Sequence, residues 1–96
     1  MTRTTAASVY AVVDALEERA AARGVSVGAL TSVRELVANG EPDTAIDYLV
    51  NTVNSSRLLL GRAEYERLLS AAAELDCVDD LTDVDPRLLV NDPDEA

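Results

Sequence analysis

The chain carries eighteen carboxylates and no histidine. Histidine is the commonest general base near neutral pH and the commonest metal ligand, so its absence removes Ser-His-Asp and Cys-His arrangements together. Paired carboxylates could still do acid–base work, and two adjacent pairs occur, Glu17–Glu18 and Asp79–Asp80. Neighbours on a helix point about 100° apart, so neither pair converges on one substrate, and a solvated face is the expected role. Asp76, Asp79, Asp80, Asp83 and Asp85 invite comparison with a calcium loop. Their spacing departs from Asp-x-Asp-x-Asp-Gly, however, and the required glycine is missing. Gly24, Gly28, Gly40 and Gly61 are spread as helix punctuation and build no phosphate loop. No catalytic residue, metal site or cofactor is therefore expected, and the chain reads as a non-enzyme. Cys77 has no second cysteine to pair with and is expected to be a plain thiol.

What remains is charge placed for binding. Nine of the acids fall from Glu74 onward, where Arg87 is the one base. The other nine share the first 73 residues with seven arginines. The formal charge of −10 repels phosphate, so no nucleic-acid partner is expected. A concentrated negative field suits a basic protein instead. Two acidic surfaces are candidates. One is Glu41, Asp43 and Asp47, with the Tyr48 hydroxyl, around the Gly40 turn; Asp43 and Asp47 stack four residues apart. The other is Asp79, Asp80 and Asp83 in the tail. Tyrosine is enriched at binding hot spots, so Tyr10 and Tyr48 read either as half-buried bundle residues or as exposed anchors. Tyr65 falls on an apolar helix face and is expected in the core.

Four helices must position these groups. Val9, Val12, Val13, Leu16 and Ala20 recur at three- and four-residue steps, which predicts a helix over 5–23 stopped by Gly24. A second helix is expected over 27–39, burying Leu30, Val33, Leu36 and Val37, with Ser26 or Thr31 as its cap. Asn39-Gly40-Glu41-Pro42 is the clearest punctuation: Gly40 ends a helix and Pro42 opens the next. That third helix is expected over 42–54, burying Ala45, Ile46, Leu49, Val50 and Val53, with Asp43 at its positive end. So short a turn makes helices two and three an antiparallel or steeply crossed pair. Asn54-Ser55-Ser56 reads as a polar break, followed by a connector whose Leu58, Leu59 and Leu60 supply one or two core residues. A fourth helix is expected over 62–75, burying Tyr65, Leu68, Leu69, Ala72 and Leu75. In the tail, Val78, Leu81 and Val84 are spaced by three, and Pro86 could open a short helix after Asp85. The tail is expected to dock on the bundle as far as Val90, with 91–96 frayed.

The expected fold is all-α: a small bundle of about four helices with a short helical or irregular acidic C-terminal segment. Residues 1–96 form one domain, its core spanning about 5–90. The absence of Trp and Phe and the abundance of Ala, Leu and Val suit closely packed helices. All eight basic residues are arginine, a bias of GC-rich, bacterial coding. No leader or membrane-length apolar run is read in the sequence, so the expected location is the cytoplasm, with no membrane partner.

The stretch from Val33 to Leu75 adds a resemblance. It contains Glu35-Leu36-Val37-Ala38-Asn39-Gly40-Glu41, then Ala45-Ile46-Asp47-Tyr48-Leu49 with Val50 to Val53. The Leu58-Leu59-Leu60 connector and Glu64-Tyr65-Glu66-Arg67-Leu68 follow. This pattern resembles the MafI-type immunity proteins of bacterial polymorphic toxin systems. These are small helical proteins with a helix ending in Gly-Glu, an apolar helix, and a last helix opening on Glu-Tyr-like residues before spaced leucines. The resemblance implies an immunity protein that binds and neutralises a cognate toxin domain, its partner being a basic domain such as a nuclease. A non-catalytic helical adaptor or homodimeric module is the alternative.

Overall fold

The computed structural model describes residues 3–91; the expected fraying of the last residues falls, beyond Asn91, outside the described residues. Four α-helices run in order: α1 (Arg3–Ala22), α2 (Gly28–Ala38), α3 (Pro42–Ser56) and α4 (Arg62–Glu74). Two 3₁₀ turns follow, Val78–Asp83 and Pro86–Leu88. Residues Leu60–Gly61 (β1) and Leu89–Val90 (β2) pair in parallel, Leu60 opposite Leu89 and Gly61 opposite Val90. The fold is an all-α bundle with a minimal two-strand tie, and α4 together with the 3₁₀ segment forms the crossover that a parallel pair requires.

α1 packs chiefly on α4, and α2 on α3. The α1 stripe delivers Val9, Val12, Val13 and Leu16 to the core. α3 buries Ala45, Ile46, Leu49, Val50 and Val53, and Leu58 and Leu60 of the connector are buried with them. From α4 come Leu68, Ala71 and Ala72, while Tyr65, Leu69 and Leu75 are half-buried at the margin. Tyr65 is thus not the full core residue expected from its helix face. Its ring packs at the core margin and its hydroxyl donates to the Leu81 carbonyl at 3.4 Å. Ala71 takes core space that the periodicity assigned to its larger neighbours.

Each helix ends the same way. Gly24 (φ 74°), Gly40 (φ 79°), Arg57 (φ 54°) and Asp76 (φ 57°) adopt the left-handed conformation. Past each one, the next amide bonds five residues back: Val25 to Ala20, Glu41 to Leu36, Leu58 to Val53 and Cys77 to Ala72. These are Schellman closures, which satisfy carbonyls that a helix end otherwise leaves open. α3 therefore runs through Asn54-Ser55-Ser56, where a break was expected, and stops only at Arg57. The start of α2 also differs from expectation. Neither Ser26 nor Thr31 caps it; the cap position is Val27, with no side-chain hydrogen bond. Val27 packs against the core beside buried Leu30, so burial sets that end.

Polar ties join the elements from outside. Arg34 of α2 bonds Asp14 and Glu17 of α1, its Nε meeting Glu17 Oε1 at 2.8 Å. Arg19 of α1 grips Glu64 through two hydrogen bonds of 2.7 Å and the Leu59 carbonyl at 2.9 Å. Glu64 also accepts the Gly61 amide at 2.8 Å, the half of a capping box that a glycine can join. Burial pushes the Glu64 carboxyl up, but the Arg19 and Gly61 hydrogen bonds outweigh it and hold the group ionised below its ordinary value. Thr5, buried on α1, donates to Glu74 at the end of α4. Among the described residues no helix is long and apolar enough to cross a membrane.

Candidate functional site

The C-terminal segment is a strap laid over α3 and α4. Leu81, Val84 and Leu88 are buried, so the threefold spacing marks a 3₁₀ turn whose side chains recur on one side. Val78, the first member of the expected triplet, is 41% exposed. It is the first residue of the turn, on the side away from the core.

One side chain fastens the strap. Asn54 Nδ2 donates to the Asp83 carbonyl at 2.9 Å, and Asn54 Oδ1 accepts from the Asp85 amide at 2.9 Å. A single amide thus satisfies backbone groups on both sides of Val84. Just beyond it, Asp85 accepts from Arg57 at 3.3 Å and from Arg87 Nη2 at 2.9 Å. The Arg87 amide also donates to Asp85 Oδ1, at 2.9 Å, so the Asp85 carboxylate caps the second 3₁₀ turn. The Arg87 side chain, then its amide and Arg57, hold the Asp85 carboxyl at about 2. Arg62 secures the end of the strap by bonding Asn91 at 3.1 Å.

This docking brings the two acidic surfaces together. On α3, Asp43, Asp47 and Asn54 lie within about 40° of one another round the helix, and Asn54 faces the strap. Burial, then the charges of Asp47, Asp83, Asp79 and Asp43 in falling order, push the Asp80 carboxyl above its ordinary value. Half-buried Cys77 sits in the same field: burial first, then Asp80, Asp43 and Asp76, raise its thiol and keep it protonated. Five of the seven candidate residues therefore share one face. Tyr48 is 40% exposed and about 100° round the helix from Asp47, so it borders that face. Exposed Glu41 is the residue before α3, where its side chain makes no cap bond.

Four arginines are engaged by other acids. Arg19, Arg34, Arg57 and Arg87 pair with Glu64, Asp14, Glu17 and Asp85. Among the described residues no ion pair involves Asp43, Asp47, Asp79, Asp80 or Asp83. Among them, too, no three acidic or thiol side chains gather in a way that could hold a metal ion. Sequence reasoning missed Asn54, reading it as part of a break. The available signal was an amide at the end of an apolar helix, ahead of a tail with regularly spaced apolar residues. A shallow groove of about 130 Å³ lies near the strap's end, lined by Arg62, Tyr65, Leu89 and Val90. Comparison with protein-family models, curated proteins and solved structures finds no match.

Proposed function

We propose that this chain is an immunity protein that neutralises a basic toxin domain by covering it with the acidic face of α3 and the strap. The observation that supports this reading best is the convergence of Asp43 and Asp47 with Asp79, Asp80 and Asp83, none of them in an ion pair among the described residues. Grouped charge of one sign steers an oppositely charged partner and can carry association to about 10⁸ M⁻¹s⁻¹ at low salt. Tight binding needs a desolvated anchor as well, and exposed Tyr48 at the border of the face is the candidate. Without histidine the chain is better equipped to bind than to catalyse. A homodimer through this face would set like charges opposite one another, so a homodimeric module would need another surface.

The test is co-expression with the basic domain encoded immediately upstream, followed by calorimetry on the purified pair. Protection of the cells and a nanomolar complex that weakens with salt are expected. Reversal at Asp47 and Asp80 together, as Asp47→Lys with Asp80→Lys, is expected to weaken binding by about 100-fold or more, since like charges across an interface cost several kcal/mol. Unprotected cells, or an affinity indifferent to both reversals, would sink the proposal.

A further inference from the structure

The strap is attached and repelled at the same place. Buried Leu81, Val84 and Leu88 hold it, as do the two Asn54 hydrogen bonds and the β1–β2 pairing. Opposing them is the seam where the Val78–Asp83 turn meets α3. The turn packs on α3, where Asp43 and Asp47 lie on the same side of the helix as Asn54, whose amide bonds the Asp83 carbonyl. The charges of Asp47 and Asp43 from α3, and of Asp83 and Asp79 from the turn itself, act on Asp80. Cys77 adjoins the seam, and from α4 Tyr65 reaches the Leu81 carbonyl. Among the described residues no ion pair involves Asp80.

We propose that the strap from Val78 to Val90 is an electrostatic latch, closed by its apolar anchors and the Asn54 clamp and loosened by like-charge repulsion across the α3 seam. Screening the seam, protonating it or laying a polycation along it tightens the latch. This is a property of the free chain. The repulsion acts between nearby surface carboxylates, so it falls as the Debye length shrinks from about 20 Å to about 4 Å between low and half-molar salt. Segments held by few buried contacts open without global unfolding, and their amides report that opening.

Native-state hydrogen exchange tests the latch. The reporters are the Asp85 amide, bonded to Asn54, and the Leu88 amide, bonded to the Asp85 carbonyl. Amides of α1 at Val13 and Leu16 serve as the reference. Raising salt from about 20 mM to about 500 mM at pH 7 is expected to raise the two strap protection factors about three- to tenfold, the sum of a few like-charge pairs. The α1 amides should change less. Asp80→Asn should reproduce much of that rise at low salt and flatten the salt response. Glu18→Gln, which removes an exposed acid on α1, should leave the strap unchanged. Equal gains in strap and α1, an equal effect of Glu18→Gln, or strap protection that stays level or falls with salt would each overturn the latch.

Discussion

Asn54 gives the sharpest test of how the strap is held. It makes two hydrogen bonds of 2.9 Å to the backbone of Asp83 and Asp85, and each such bond is worth about 0.5–1.5 kcal/mol net. Alanine removes both. It also improves the helix by about 0.5 kcal/mol, because Asn is a weak helix former and position 54 lies inside α3. The expected net loss for Asn54→Ala is about 1–2 kcal/mol. Asn51→Ala isolates the propensity gain, since Asn51 is exposed on the same helix; it should be neutral or stabilising by up to about 0.5 kcal/mol. Asn54→Asp keeps the acceptor for the Asp85 amide but sets a carboxylate against the Asp83 carbonyl, in line with Asp43 and Asp47. It should cost at least as much as alanine at pH 7, and part of that loss should return in half-molar salt. Urea unfolding followed by far-UV circular dichroism measures all three variants. With a slope near 1 kcal/mol/M, the alanine midpoint should fall by about 1–2 M. If Asn54→Ala and Asn51→Ala shift the midpoint equally, the amide holds nothing and the account of the strap fails.

Two further outcomes follow from the strap's other anchors. Leu81 is 1% exposed, so Leu81→Ala should cost about 2–4 kcal/mol, and a melting temperature within a degree of the wild type would show that the strap contributes nothing to the core. Asp85 is held at about 2 by Arg87 and Arg57, below its unfolded value of about 3.9. Its contribution is then fully present above the unfolded value and lost as pH falls through about 2. Asp85→Asn should remove that part of the acid limb in a stability–pH curve, and an unchanged limb between pH 4 and pH 2 would contradict the pairing.

The bundle was legible wherever one residue type settles a local question. The stripe on α1 can only face a core, Gly24 and Gly40 adopt positive φ at little cost, and Pro42 favours the first turn of a helix. The end of α3 was harder to read, because Arg57 takes the same left-handed conformation without a glycine to announce it; α4 ends within one residue of its expected bound. Tertiary contacts, not propensity, carry α3 across Asn54-Ser55-Ser56: Val53 is buried, and Asn54 spends its side chain on the strap. The β1–β2 pairing joins residues nearly thirty positions apart, and two residues are too few for an alternating pattern to show. Docking of the tail was readable from its spaced apolar residues. What could not be read was that docking lays Asp80 beside Asp47, because that depends on which face of α3 receives the strap.

At the seam neighbouring elements disagree electrostatically, and the chain has the means to avoid it. Arg34 straddles two acids, Arg19 takes Glu64 with both nitrogens, and Asp85 receives two arginines. Conflicts between local and global preference concentrate where function opposes stability. If the seam served only solubility, removing Asp80's charge would tighten the latch and alter nothing else. If it serves a basic partner, the same Asp80→Asn change tightens the free chain and weakens the complex. Opposite signs in exchange protection and in affinity, from one substitution, are therefore what separates a binding face from a merely solvated one.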